Sequence, residues 1–185
     1  MQLDECIKAR RSVRTFKTEP VPKKVIEDVL QAGVWAATGM GRQPWRFIVI
    51  ENKETIKFIS EETKKAVRKA MPQYADHFAT DKDIICYDAP VLIFICTETN
   101  ANFAHLNLLD SVLASQNIFL KACELGLGAC YMGWIDVLWQ NNPELLKKKV
   151  IPEGFELQVP LILGYPKGKV GAGKRNKANV LKWIE

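Results

Sequence analysis

The spacing of apolar positions in the first half of the chain predicts three helices and a strand. Residues 3–9 are predicted to form a short helix, and Pro22 presets the start of a second helix with a stripe of apolar residues along 25–33. The β-branched and aromatic run 47–50 predicts a buried strand. Residues 53–69 show the spacing of a charged amphipathic helix that ends before Pro72.

The second half contains the most apolar segments. Residues 91–97 predict a strand buried on both faces, and 105–125 predict a long helix that Gly126 caps. The hydrophobic positions of this helix run almost all round, so we expect a sheet to cover one side and a partner subunit to cover another. Strands are also predicted at 129–134 and 157–164.

Some parts of the chain are harder to interpret. A short helix is predicted at 143–149, whereas 73–88 has weak periodicity and receives no assignment. The tail at about 167–185 is rich in Gly and Lys but ends on apolar residues, which favours docking over disorder. Helices and strands do not alternate regularly, so we expect a single α+β domain over 1–185 with a mixed sheet sandwiched by helices.

Composition limits the class of protein. The 185 residues are 48% hydrophobic and 25% charged, which is typical of one globular domain. The longest apolar run, 91–96, is far shorter than the ~20 residues that span a bilayer, so no membrane association is expected and the location is expected to be cytoplasmic. Five cysteines form no CxxC pair, which favours free thiols over a metal site.

Positive charge is concentrated near the two ends. Seven basic residues and one acid lie between Lys8 and Lys24, and six basic residues and no acid lie between Lys167 and Lys182. The near-neutral middle makes this distribution uneven, although the net charge is only +5. It predicts an anion held by both ends of the chain, with nucleic acid as the competing ligand.

Four segments could carry binding chemistry. The arginines and serine of 10–16 offer donors for phosphate oxygens, although a solvated basic turn explains them equally simply. In 41–47, glycines precede Gln43 and a Pro-Trp pair, and its aromatic residues could simply be core. In 126–134, glycines flank a predicted strand and could expose backbone amides. The turn at 163–167 is followed by a basic pair that could close on a phosphate.

In this order the four segments resemble the nitroreductase family of FMN flavoproteins, and the resemblance covers nearly the whole chain. It rests on the strings RRSVRTF, QPWRF, GLGACYMG and LGYP. The resemblance implies a mainly antiparallel sheet, an intertwined homodimer and a tail that docks on the partner subunit. It also implies FMN as cofactor, NADH or NADPH as electron donor and a small-molecule acceptor.

The same resemblance assigns site residues. Arg10, Arg11 and Ser12 would bind the FMN phosphate and ribityl chain, and Lys174 and Arg175 would complete the phosphate site. Arg14 would lie near the pyrimidine edge of the ring as an electrostatic stabiliser. Further contacts are implied for Met132, Gly133 and Trp134 beside the ring, and for Ala37, Thr38, Met40, Gly41 and Gln43 of the partner subunit.

The resemblance leaves the chemistry partly open. The loop 37–42 departs from the serines and asparagine that many family members have there, and no protein acid, base or nucleophile is needed because the flavin carries the hydride. A ping-pong reduction of a nitroaromatic, quinone or enone is expected. Reductive dehalogenation, flavin fragmentation and non-catalytic FMN binding are the flavin alternatives, and an anion-binding or nucleic-acid-binding module without flavin is the other.

Overall fold

The computed structural model describes residues 1–99, 103–168, 170–171 and 173–185. Each predicted helix and strand has a counterpart, but the strand predicted at 129–134 ends early and one helix, at 133–141, was not predicted. The helices are α1 (Leu3–Ala9), α2 (Lys23–Val34), α3 (Lys53–Ala70), α4 (Asn107–Glu124), α5 (Gly133–Asn141) and α6 (Pro143–Lys149). The strands are β1 (Arg46–Ile50), β2 (Val91–Glu98), β3 (Gly128–Tyr131) and β4 (Phe155–Gly164), and helices pack on both faces of the sheet they form.

The four strands form a sheet in the order β1-β2-β4-β3, and all three pairings are antiparallel. Representative register pairs are Ile48↔Phe94, Ile93↔Leu161 and Ala129↔Leu163. The one parallel contact in the described chain is an isolated bridge from Ser12 to Ala129. The fold is therefore α+β, and its sheet is antiparallel. The sheet was predicted to be mixed, but its parallel pairing is limited to this bridge.

Strand β2 supplies both halves of the hydrophobic core, because successive side chains of a strand point to opposite faces. Leu92, Phe94 and Cys96 pack with apolar residues of α3, α5 and α6 on one face. Val91 and its alternate neighbours pack with α2 and α4 on the other face. The expectation of a central strand buried on both faces is confirmed, since residues 91–97 are all buried.

The predicted strand at 129–134 is wrong in its second half. Strand β3 ends at Tyr131, and α5 begins at Gly133. Ile135, Val137 and Leu138 follow the predicted strand in the sequence. They form the buried face of this helix. Asp136 in the first turn was a usable signal, because an acidic side chain is favourable at a helix N-terminus.

Helix α4 ends as predicted but buries an unexpected face. Gly126 adopts φ +75°, and Leu127 donates its N–H to Ala122 O at 2.8 Å in a Schellman arrangement. The face packed inside the protomer is mostly small or polar, comprising Asn107, Asp110, Ser111, Ala114, Ser115, Ile118 and Ala122. The apolar residues Leu108, Leu109, Val112 and Leu113 are exposed by 47–59%. The sheet side is thus covered, and the apolar side is open in the protomer.

Candidate functional site

Backbone pairing fixes the N-terminal arginine segment along the β3 edge. Val13 donates its N–H to Ala129 O at 3.1 Å beside the Ser12–Ala129 bridge. Lys17 N–H donates to Tyr165 O at 2.8 Å, and Lys167 N–H donates to Thr15 O at 3.0 Å. These hydrogen bonds hold the N-terminal segment beside the segment that follows β4. Such proximity is needed if both basic ends are to bind one ligand.

The C-terminal tail passes against Arg11, one of the residues expected to bind a phosphate. An ideal Cβ on Gly173 would lie 2.5 Å from Arg11 Nε, so the tail passes directly over this guanidinium and continues into Lys174 and Arg175. Arg11 Nε is buried and has no hydrogen-bond partner among the described residues. A buried, unpaired guanidinium N–H is costly and fits an anionic oxygen as its partner. Arg10 and Arg11 also line a cavity of about 180 Å³.

Arg14 and the segment after β3 meet in a second cavity. Its volume is about 400 Å³, and Arg14, Met132, Gly133 and Trp134 all line it. Met132 donates its N–H to Pro160 O at 2.9 Å, and α5 then starts at Gly133. Because the first N–H groups of a helix lack intrahelical partners, this turn offers backbone donors at the cavity wall. The structure thus brings together two segments that the sequence assigned to the same ligand.

Aromatic packing makes one wall of the 400 Å³ cavity rigid and flat. The Trp134 ring lies edge-on to Phe78 with centroids 5.0 Å apart, and to Tyr74 with centroids 5.7 Å apart. An ideal Cβ on Gly133 would lie 3.1 Å from Tyr131 Cε1, so the phenol ring closely covers this glycine. A planar ligand could stack here while it contacts backbone N–H groups at its edge.

Three ionisable groups at or beside this cavity, Tyr87, Tyr131 and Asp136, have raised pKa values. Burial raises the pKa of the Tyr87 phenol, and the nearby Arg14 charge partly opposes the shift. Burial and a hydrogen bond to Asp136 raise the pKa of the Tyr131 phenol. Burial raises the pKa of the Asp136 carboxyl, and the bond from Tyr131 opposes it. Because their pKa values are raised, both phenols stay neutral near pH 7. Among the described residues that line the cavity, Arg14 is the one that carries a charge.

The loop before β1 lies elsewhere in the protomer. Buried Asp110 of α4 accepts hydrogen bonds from Thr38 Oγ1 at 3.1 Å, Gly39 N at 3.0 Å and Arg42 Nη2 at 3.0 Å. Thr38 Oγ1 in turn accepts from Gln43 N–H at 3.1 Å. The expected loop contacts Ala37, Thr38, Met40, Gly41 and Gln43 are absent from the described lining of the Arg14 cavity. One protomer therefore does not unite the two halves of the expected site.

Sequence reasoning missed four residues that line the Arg14 cavity, namely Met71, Tyr87, Tyr131 and Val137. Tyr87 lies in the unassigned stretch 73–88, where the family resemblance implies a further polar contact and the sequence offers Lys82 as the candidate. The Lys82 side chain does not line the cavity, and its carbonyl accepts from Lys64 Nζ at 3.3 Å. A tyrosine placed shortly before a buried strand was the available signal for Tyr87.

Comparison with known proteins agrees with the arrangement of these segments. The profile of the Nitroreductase family matches residues 7–165. The chain belongs to the nitroreductase family. A relative from Methanothermobacter thermautotrophicus, named for a proposed NADH dehydrogenase or NAD(P)H nitroreductase activity, is 33% identical over 170 residues, which cover 86% of this chain and 80% of the relative.

Two further similar proteins bear on cofactor and chemistry. The crystal structure of a nitroreductase with bound FMN from Bacteroides fragilis superimposes with a TM-score of 0.85 at 27% identity, over 100% of both chains. An iodotyrosine deiodinase from Thermotoga neapolitana is 29% identical over 174 residues, which cover 89% of this chain and 88% of that protein.

None of the described helices is both long and apolar enough to cross a membrane.

Proposed function

We propose that this nitroreductase-family protein is an FMN-dependent oxidoreductase that passes electrons from NADH or NADPH to a small acceptor such as a nitroaromatic, quinone or enone. The observation that carries the proposal is the meeting of Arg14 with the Met132–Gly133–Trp134 segment in one cavity of about 400 Å³. The FMN-bound relative from Bacteroides fragilis, similar over its full length, supports the choice of cofactor.

The residues at both ends of the chain fit the anionic part of FMN. Arg10, Arg11 and Ser12 would hold the phosphate and ribityl chain, and Lys174 and Arg175 would close over the phosphate. Arg11 Nε supports this assignment, because it is buried without a partner and lies directly beneath the tail at Gly173. A phosphate oxygen would satisfy this donor with a charge-assisted hydrogen bond.

The cavity fits the flavin ring. Gly133 and the flat face of Trp134 would lie beside the ring, with first-turn N–H groups of α5 directed at its edge. Arg14 would hold positive charge at the pyrimidine edge, where it stabilises added negative charge. When bound, FMN supplies hydride transfer, so the chain's own residues bind, orient and exclude water rather than act as acid or nucleophile.

A homodimer would complete the site. The exposed apolar row on α4, comprising Leu108, Leu109, Val112 and Leu113, is the proposed contact between protomers. In the dimer, the 37–43 loop of one protomer would reach the Arg14 cavity of the other. This assembly explains why the loop is ordered on Asp110 yet lies apart from that cavity within its own protomer.

The apolar end of the tail supports a crossing to the partner. Leu181, Trp183 and Ile184 are 79–95% exposed, and no strand pairs with the outer edge of β1 in the described chain. An open strand edge with exposed backbone groups favours pairing with another segment. We infer that the tail of one protomer docks on its partner, with the β1 edge as its target.

Reductive dehalogenation is the second candidate function, favoured by the similarity to the iodotyrosine deiodinase from Thermotoga neapolitana. Both activities use the same flavin site, so the residues above do not separate them. Anaerobic turnover of 3-iodotyrosine against a nitroaromatic and a quinone, with NADH and NADPH compared, would rank the two functions directly.

The deciding experiment is an absorption spectrum of the purified protein before and after anaerobic addition of NADH or NADPH. Flavin bands that bleach with either donor are expected. Flavin bands that do not bleach would indicate FMN binding without turnover. A colourless protein that does not take up added FMN would refute the proposal and direct attention to another anion at the basic ends.

A further inference from the structure

Buried polar contacts hold the loop of residues 80–88 against α3. Lys64 is only 3% exposed, and its Nζ donates to Thr80 O at 2.8 Å and Lys82 O at 3.3 Å. Ser60 of the same helix donates its hydroxyl to the Asp83 carboxylate. Lysine is rarely buried unless its ammonium group is paired, so burial of Lys64 depends on these contacts with the loop. They indicate that the position of this loop matters.

Asp83 also folds the loop locally. Its carboxylate accepts backbone N–H groups of Ile85 at 3.1 Å, Cys86 at 2.8 Å and Asp88 at 3.1 Å. Tyr87 and Asp88 follow with φ values of 54° and 53°. Residues with a side chain adopt this left-handed region at a cost, and clusters of such strain occur at functional sites. The Asp83 contacts impose this conformation on Tyr87.

This loop conformation places the Tyr87 ring beside Arg14. The Arg14 guanidinium carbon lies 6.0 Å from the centroid of the Tyr87 ring, and both residues line the 400 Å³ cavity. Arg14 itself is an exposed side chain. A cation held over an aromatic face loses less freedom when it binds a ligand, because its orientation is already set.

We propose that Tyr87 is a positioning residue that holds the Arg14 guanidinium toward the ligand in this cavity. The inference rests on the proposed flavin function and deepens it, because it assigns a role to a loop outside the recognised motifs. Ser60, Lys64 and Asp83 would support that role by fixing the loop. Tyr87 itself acts through Arg14 and need not touch the ligand.

The test compares FMN affinity and flavin reduction potential in Tyr87→Leu, Arg14→Gln and the double variant. Loss of the cation–aromatic contact should weaken FMN binding about three- to thirtyfold and lower the potential. If Tyr87 acts through Arg14, adding Tyr87→Leu to Arg14→Gln should change little, because the partner is already lost. Tyr87→Phe keeps the ring but removes the hydroxyl, which also interacts with Arg14, so its loss of FMN affinity should be smaller than that of Tyr87→Leu.

Phe58→Leu is the matched control, because it removes a ring that lies 5.4 Å from Lys149 Nζ and lines none of the described cavities. FMN affinity and potential should not change in this variant. The inference is overturned if Tyr87→Leu behaves like Phe58→Leu, or if the Tyr87 and Arg14 effects add fully in the double variant. Failure of the wild-type protein to bind FMN would instead refute the proposed function. The melting temperatures of the variants and the wild type, compared without FMN, identify any variant that folds poorly.

Discussion

The exposed row on α4 gives the sharpest quantitative prediction. Leu109 is 59% exposed in the protomer, and complete burial of a leucine contributes ~1.5–3 kcal/mol, so covering the exposed part is worth ~1–2 kcal/mol per protomer. A two-fold interface counts each residue twice, which gives ~2–4 kcal/mol for the dimer. Loss of this contribution alone corresponds to a dimer that is about 30- to 700-fold weaker. Leu109→Asp should weaken dimerisation further, because the buried carboxylate adds a desolvation penalty.

Light scattering over a dilution series, with sedimentation as a second method, measures the effect. Lys148→Asp is the control, because it places the same side chain on the exposed side of α6, away from the row. The Leu109→Asp monomer should keep its far-UV circular dichroism and lose FMN, since the partner's loop is missing. A Leu109→Asp protein that stays dimeric at the concentrations where Lys148→Asp does would refute the interface, as would a wild-type monomer that retains flavin.

Three further predictions concern single residues. Arg14→Gln should lower the flavin reduction potential in a dye-equilibration assay, and an unchanged potential would dismiss its electrostatic role. Asp110→Ala should cost ~3–5 kcal/mol in urea unfolding because it removes one partner of a buried ion pair, whereas Asp4→Ala at an exposed pair should change little. Burial raises the pKa of the Cys96 thiol from its ordinary value of 9.0 to about 12. The unfolded thiol ionises first, so this group should reduce stability as pH rises above about 9, and a Cys96→Ser variant that shows an identical alkaline decline would contradict this.

The hydrophobic pattern predicted most of the secondary structure because local chemistry decided it. The double-faced strand at 91–97 and the Gly126 cap follow from neighbouring residues alone, and both are confirmed. The α5 error has the opposite origin. Four of the five residues 131–135 are apolar and favour a strand locally, but the chain turns at Met132, which donates its N–H to Pro160 O. The residues beyond this turn pack as a helix on the sheet.

The sequence by itself determined the family, the α+β class and the concentration of positive charge near the two ends, because those rest on short motifs and on composition. Only the tertiary structure decided which residues meet. Arg11 under the tail, Arg14 beside the α5 N-terminus and Tyr87 against Arg14 are contacts between segments far apart in the chain. No local pattern encodes such contacts, since they depend on how the sheet and the Asp83-bound loop place those segments in space.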